Sequence, residues 1–184
     1  MGSETALLIG IGNPLRGDDG VGGFLVDELA REWEAGRPHG AERRAHLRAH
    51  LSVHLKSVHQ LSPELALLVA DASRVLFVDA WASPGPTRPW IDPLQPPPLG
   101  GPSRLGAGPG SHGLDPVTLL LIAEGLYGWR GEGALLRVPA QAFPHGPGFS
   151  APLKRALPRA RELLRRWLRG GEPAGLVWRV AEER

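Results

Sequence analysis

The sequence contains no cysteine. That excludes disulfides, thiolate metal sites and a cysteine nucleophile, and it leads us to expect a cytoplasmic protein. Lysine is nearly missing too: Lys56 and Lys154 are the only two, and the remaining fixed positive charge is arginine. With a formal net charge of only +2, this reads as a compositional bias and not as a nucleic-acid footprint, because no aromatic-interleaved basic motif accompanies it. No apolar run approaches the length of a membrane span, so membrane insertion is not expected. The first residues lack a basic stretch and reach acids by Asp18, which is unlike a signal peptide.

What remains is a globular composition. The 184 residues are 42% apolar, enough to bury a core, and the length suggests one domain. We place that domain over 1–184, with its core at about 5–168 and a C-terminal extension at 170–184. Nothing in the sequence indicates an oligomer, and a monomer is expected.

The opening stretch from Thr5 to Leu29 organises the chain. Ala6-Leu7-Leu8-Ile9-Gly10-Ile11 is a short apolar run that reads as a buried strand. Gly12-Asn13-Pro14 breaks it, and a helix is predicted from about Asp18-Asp19 with Val21, Phe24, Leu25 and Leu29 on one face. Gly10-Ile11-Gly12 begins like a dinucleotide fingerprint, but Leu15 stands at the third glycine position. Two acids also stand where a pyrophosphate would need free N–H groups. A helix cap accounts for one aspartate and leaves the other unexplained.

This stretch resembles the start of the hydrogenase maturation endopeptidases, which trim the C-terminus of the large subunit of NiFe hydrogenases. Their G-N-x-L-x-x-D-D/E-G-x-G pattern is matched from Gly12 to Gly22 at every fixed position. The resemblance implies that the second acid, Asp19, is a metal ligand. Asp18 would then be a helical or structural partner. A peptidyl-tRNA hydrolase shares the GxGNP opening but expects a histidine soon after it, and none lies between Pro14 and Pro38.

The segment from Ala45 to Leu61 is ambiguous by periodicity. Leu47, Leu51, Leu55 and Val58 have helical spacing beside His46, His50 and His54, yet Leu51, Val53 and Leu55 also alternate with polar residues as a half-buried strand would. The resemblance favours a strand, since His59-Gln60-Leu61-Ser62-Pro63-Glu64-Leu65 matches a family motif that follows one. It implies substrate contacts for His59 and Gln60. A histidine row without carboxylate partners reads as a solvent-facing face and not as a metal stripe. Ser62-Pro63-Glu64 reads as a helix start, with Ser62 as hydroxyl cap and a helix over 63–70 that buries Leu65, Leu68 and Val69.

Val75-Leu76-Phe77-Val78-Asp79-Ala80 is the clearest strand, with a single acid at its C-terminal end. The proline- and glycine-rich stretch 83–110 reads as a long loop, with a short strand at most over 88–91. Asp115-Pro116 opens an apolar helix that ends at Gly128. A strand follows over 134–138, and an amphipathic arginine-rich helix over 153–168. Phe143, Gly146, Gly148, Phe149 and Ser150 resemble the family's F-x-x-G-x-x-L-S stretch, with Phe149 where leucine is usual. By resemblance, Asp79 is the second metal ligand and His112, just before the apolar helix, is the third.

The expected fold is a three-layer α/β/α domain with a twisted, mostly parallel sheet. The resemblance implies an endopeptidase that acts on a NiFe hydrogenase large-subunit precursor after nickel insertion. It reads the metal through Asp19, Asp79 and His112, and that nickel arrives with the precursor. The isolated protein would be metal-free or hold another divalent ion. A self-contained zinc peptidase, an aspartic-type peptidase and a non-cleaving nickel-binding maturation factor are the alternatives, and no HExxH helix supports the first of them.

Overall fold

The computed structural model describes residues 4–35, 45–46, 51–82, 87–94 and 114–170. Strand β1 spans Glu4–Ile11 and helix α1 Val21–Ala35; β2 is Ala45–His46 and β3 is Leu51–Val58. Helix α2 (Leu65–Ala70) leads into β4 (Arg74–Trp81) and β5 (Trp90–Leu94). Helix α3 (Pro116–Tyr127), β6 (Glu132–Pro139) and α4 (Ala151–Leu168) complete the order. The six strands form one sheet, β2-β3-β1-β4-β6-β5. Its four inner strands β3, β1, β4 and β6 run parallel. The short outer strands β2 and β5 are antiparallel to their neighbours.

Parallel strands that carry helices on both faces must be apolar on both, and β1 and β4 show it. Ala6, Leu8, Leu76 and Val78 face one core, closed by α1 and α4 through Val21, Leu25, Leu153, Leu157 and Leu164. Leu7, Ile9, Val75 and Phe77 face the other, closed by α2 and α3 through Leu65, Val69, Leu119 and Leu120. This is the three-layer arrangement the sequence predicts. The chain leaves β1 for β3 on one side and returns to β4 on the other. Open α/β sheets bind ligands at such a switch point, outside the C-terminal strand ends.

Helix α1 lies close on the sheet because Gly22 has no side chain. A Cβ there would collide with the carbonyl oxygens of Ile11 and Val78. The backbone of α1 is thereby held against the ends of β1 and β4, the two strands that straddle the switch point. Arg74 fastens the opposite end of the sheet. Its guanidinium donates to Trp167 O and Leu168 O, each at 2.9 Å, and stacks over the Trp167 ring at 4.7 Å. Glu4 Oε1 stands 2.9 Å from Arg74 Nε as an ion pair without hydrogen-bond alignment. A cation at the end of α4 meets carbonyls of its last turn, where i+4 partners within the helix run out.

Several local expectations are corrected. Helix α1 begins at Val21, after a 3-10 turn over Gly17–Gly20. Helix α2 begins at Leu65 and has no side-chain cap; Leu65 N donates instead to Ser62 O at 3.1 Å. Leu68 points outward and Ala66 is buried in its place, because a helix of under two turns can bury only one narrow face. The strand expected at 88–91 is β5, two residues later, paired with β6. The arginine-rich face of α4 is partly engaged: Arg161 and Arg165 pair with Glu28 and Glu32 of α1. The segment 171–184 lies outside the described residues.

Candidate active site

The two adjacent acids after β1 have opposite environments. Asp18 is fully buried. Its Oδ1 accepts from Ser150 N at 2.7 Å, and its Oδ2 accepts from Gln141 N at 2.9 Å, Ala142 N at 3.1 Å and Ser150 Oγ at 2.8 Å. Its own N–H donates to Ala142 O. Burial works to raise the Asp18 pKa, but the bonds from Gln141, Ser150 and Ala142 outweigh it and hold the carboxyl below its ordinary value. Asp18 is therefore neither a helix cap nor a free ligand. It is an anion clamped by the segment between β6 and α4, and Ser150 at the same time caps α4.

Asp19 faces the other way and is half-buried. Its Oδ2 accepts from Asn13 N at 2.9 Å, and Asn13 Oδ1 in turn accepts from Leu15 N at 2.9 Å. Gly12, at φ +128°, packs against the Asp19 carbonyl where a Cβ could not fit. The GxGNP turn is thus the mould that sets the second acid. Neither Asn13 nor Gly12 was singled out by charge or spacing as a site residue; the turn chemistry at Gly12-Asn13-Pro14 was the available signal.

Asp79 stands at the C-terminal end of β4, half-buried, with Oδ1 accepting from Ala80 N at 2.8 Å. Burial pushes its pKa up to about 7, the Ala80 bond opposes this, the Asp19 charge adds to the rise and Arg137 pulls it down. Asp19 and Asp79 are therefore within electrostatic reach across the switch point. No hydrogen bond joins them among the described residues. Each carboxylate has one oxygen held by a main-chain N–H and one with no hydrogen-bond partner among those residues.

His59 and Gln60 follow β3 and are both exposed at the same end of the sheet. His112 lies outside the described residues. Leu114, two positions on, forms an antiparallel bridge with Leu61, and Asp115 caps α3 by accepting from Val117 N and Thr118 N. Among the described residues no group of three or more metal-ligating side chains comes together. Two carboxylates alone make an oxygen pair suited to a divalent ion, short of the four donors of a closed site.

No protein-family model and no curated protein matches the chain. Solved structures do match. The NiFe hydrogenase maturation protease HycI of Thermococcus kodakarensis superposes with a TM-score of 0.60 at 21% identity, covering 91% of each chain. The hydrogenase-maturating endopeptidase HybD of E. coli gives 0.61 at 17% identity, over 90% of this chain and 93% of that one. A hydrogenase 2 maturation peptidase from a Thaumarchaeota archaeon gives 0.57 at 20%, over 90% and 98%. The chain has the fold of these proteases.

The geometry gives the neighbouring acids distinct stability signatures. Asp18→Asn places an amide against a ring of donors and should cost about 2–4 kcal/mol, whereas Asp19→Asn should change stability by less than about 1 kcal/mol. Because the Asp18 pKa is lowered by folding, its contribution is present above about pH 4 and lost as acid protonates it. Denaturant melts of both variants between pH 3 and pH 8 check this; equal losses would refute it. Asp79 has the opposite sign. Its rise from 3.8 to about 7 burdens the folded state increasingly from about pH 4 to pH 7. Asp79→Asn should therefore be more stable than the parent above pH 7, by about 2–4 kcal/mol before solvent screening, with the gap closing towards pH 4.

Proposed function

We propose that this protein is an endopeptidase that removes a C-terminal peptide from a NiFe hydrogenase large-subunit precursor once nickel is in place. Asp19, Asp79 and His112 would recognise the metal, and His59 and Gln60 would contact the substrate. The observation that carries the reading is the pair Asp19 and Asp79: two carboxylates at the sheet's switch point, each pinned through one oxygen with the other left open. The shared fold of the hydrogenase maturation proteases supports the reaction class.

The nickel belongs to the substrate, since the precursor brings it. Two carboxylates and one imidazole form an incomplete set, which suits an ion already held by other ligands. Once bound, such an ion supplies Lewis-acid polarisation of a carbonyl or a water. The protein's own residues do the rest. The N–H groups of Asn13 and Ala80 fix the two carboxylates, so that little reorganisation is needed when substrate arrives. Asp79 Oδ2 has to be deprotonated to ligate, and its raised pKa makes that a neutral-pH event. Engagement should therefore weaken below about pH 7, before an ordinary histidine would be protonated.

An aspartic dyad is the reading to be excluded, because the Asp19 charge does contribute to the Asp79 shift. A dyad shares a proton across a direct hydrogen bond, and none links these two residues among those described. Cutting by a dyad would also need no metal.

Side-by-side digestion of nickel-free and nickel-loaded precursor, read by mass spectrometry, separates the readings. Only the loaded form should lose its C-terminal peptide, generic peptides should survive, and Asp19→Asn should be inactive though folded. Efficient trimming of the nickel-free form in metal-free buffer would overturn the proposal in favour of the aspartic mechanism.

A further inference from the structure

Beside Asp79 lies a cation that the site as described does not use. Arg137 of β6 is the register partner of Asp79 in β4, and Trp90 of β5 is the register partner of Arg137. The three side chains therefore form one row across the sheet face. No ion pair within 4.0 Å joins Arg137 to Asp79. Its Nε donates instead to Asp92 Oδ2 at 2.7 Å, and Trp90 Nε1 donates to the same oxygen at 3.0 Å. The guanidinium carbon lies 4.2 Å from the centroid of the Trp81 ring, and Trp81 meets Trp90 edge-on at 6.0 Å. Three half-buried side chains, Trp81, Trp90 and Asp92, thus lock the Arg137 guanidinium against Trp81, the residue two positions past Asp79 on β4.

The arrangement is more than a strand-edge ion pair requires. The Arg137 side chain is only 13% exposed, yet of its nitrogens only Nε has a hydrogen bond among the described residues. The stack and the Asp92 bond fix the plane of the fork, so the two terminal nitrogens are held without an acceptor among the described residues. Such a fork seeks an oxygen acceptor. Asp19 and Asp79 on the same rim disfavour an anionic occupant, whereas a neutral peptide carbonyl meets no such repulsion.

We propose that the terminal nitrogens of Arg137 bind a main-chain carbonyl oxygen of the precursor segment that lies across the site, with Trp81, Trp90 and Asp92 positioning the guanidinium. This rests on the peptidase reading given above and names the group that holds the peptide. A hydrogen bond of this kind is made in the ground state and kept in the transition state, so its loss should appear in binding.

The test is steady-state cleavage of nickel-loaded precursor by the full-length protein and by Arg137→Met and Arg137→Lys, with melting temperatures recorded alongside. Loss of a charged hydrogen bond predicts a KM raised roughly 10–100-fold in Arg137→Met with kcat within about twofold. Arg137→Lys keeps the cation beside Asp92 but loses the fork; it should show a smaller rise in KM, and it decides the matter if the methionine variant does not fold. Unchanged KM in a folded variant, or a fall in kcat alone, overturns the assignment while leaving the peptidase reading intact. No cleavage by the unsubstituted protein removes both.

Discussion

The structure depends on one buried carboxylate. Asp18 sits in the core without solvent contact, a placement that costs several kcal/mol for an unpartnered anion. Four hydrogen bonds offset that cost, and all of them come from Gln141, Ala142 and Ser150, more than 120 positions along the chain. The turn after β1 is thereby tied to the connection between β6 and α4. Gly17 N to Gly146 O and Gly146 N to Leu15 O extend the same junction. With Asp18 turned inward and its backbone fixed, Asp19 is left on the opposite side, towards the end of β4. The orientation of the open carboxylate follows from the burial of its neighbour.

The charged groups of the chain divide by how well they are satisfied. Arg74, at the N-terminal end of β4, meets two helix-end carbonyls, a tryptophan face and a glutamate. Asp79, at the other end of the same strand, has one main-chain N–H and a second carboxylate nearby. The first arrangement stabilises the fold. The second burdens it, and groups kept at such a cost cluster where chemistry occurs. One strand therefore carries a well-partnered charge at its scaffold end and an under-satisfied one at the end where the candidate site lies.

Much of this was legible because it is local. The apolar run into Gly12-Asn13-Pro14, the single acid closing Val75–Val78 and the Asp115-Pro116 start of α3 each carry their structure in neighbouring residues. The division between Asp18 and Asp19 was legible only as a resemblance, since the donors that decide it are a sheet away. Helix α2 was misjudged because a six-residue helix gives periodicity too few positions to fix its buried face. Arg137 was hidden by composition: among so many arginines, only its register beside Asp79 and its stack on Trp81 distinguish it. The ambiguity over Leu51–Val58, which carries His54, was resolved as strand by its pairing along β1, which no window of the segment itself contains.

The central claim is that Asp19 and Asp79 complete the coordination of a nickel ion carried by another protein. X-ray absorption at the nickel edge tests it directly, on the loaded precursor alone and then with an equimolar amount of this protein. The account predicts added oxygen or nitrogen scatterers at about 2.0–2.2 Å in the complex, absent when Asp19→Asn and Asp79→Asn are combined. A nickel environment that stays the same on complex formation, with the precursor demonstrably bound, would contradict it.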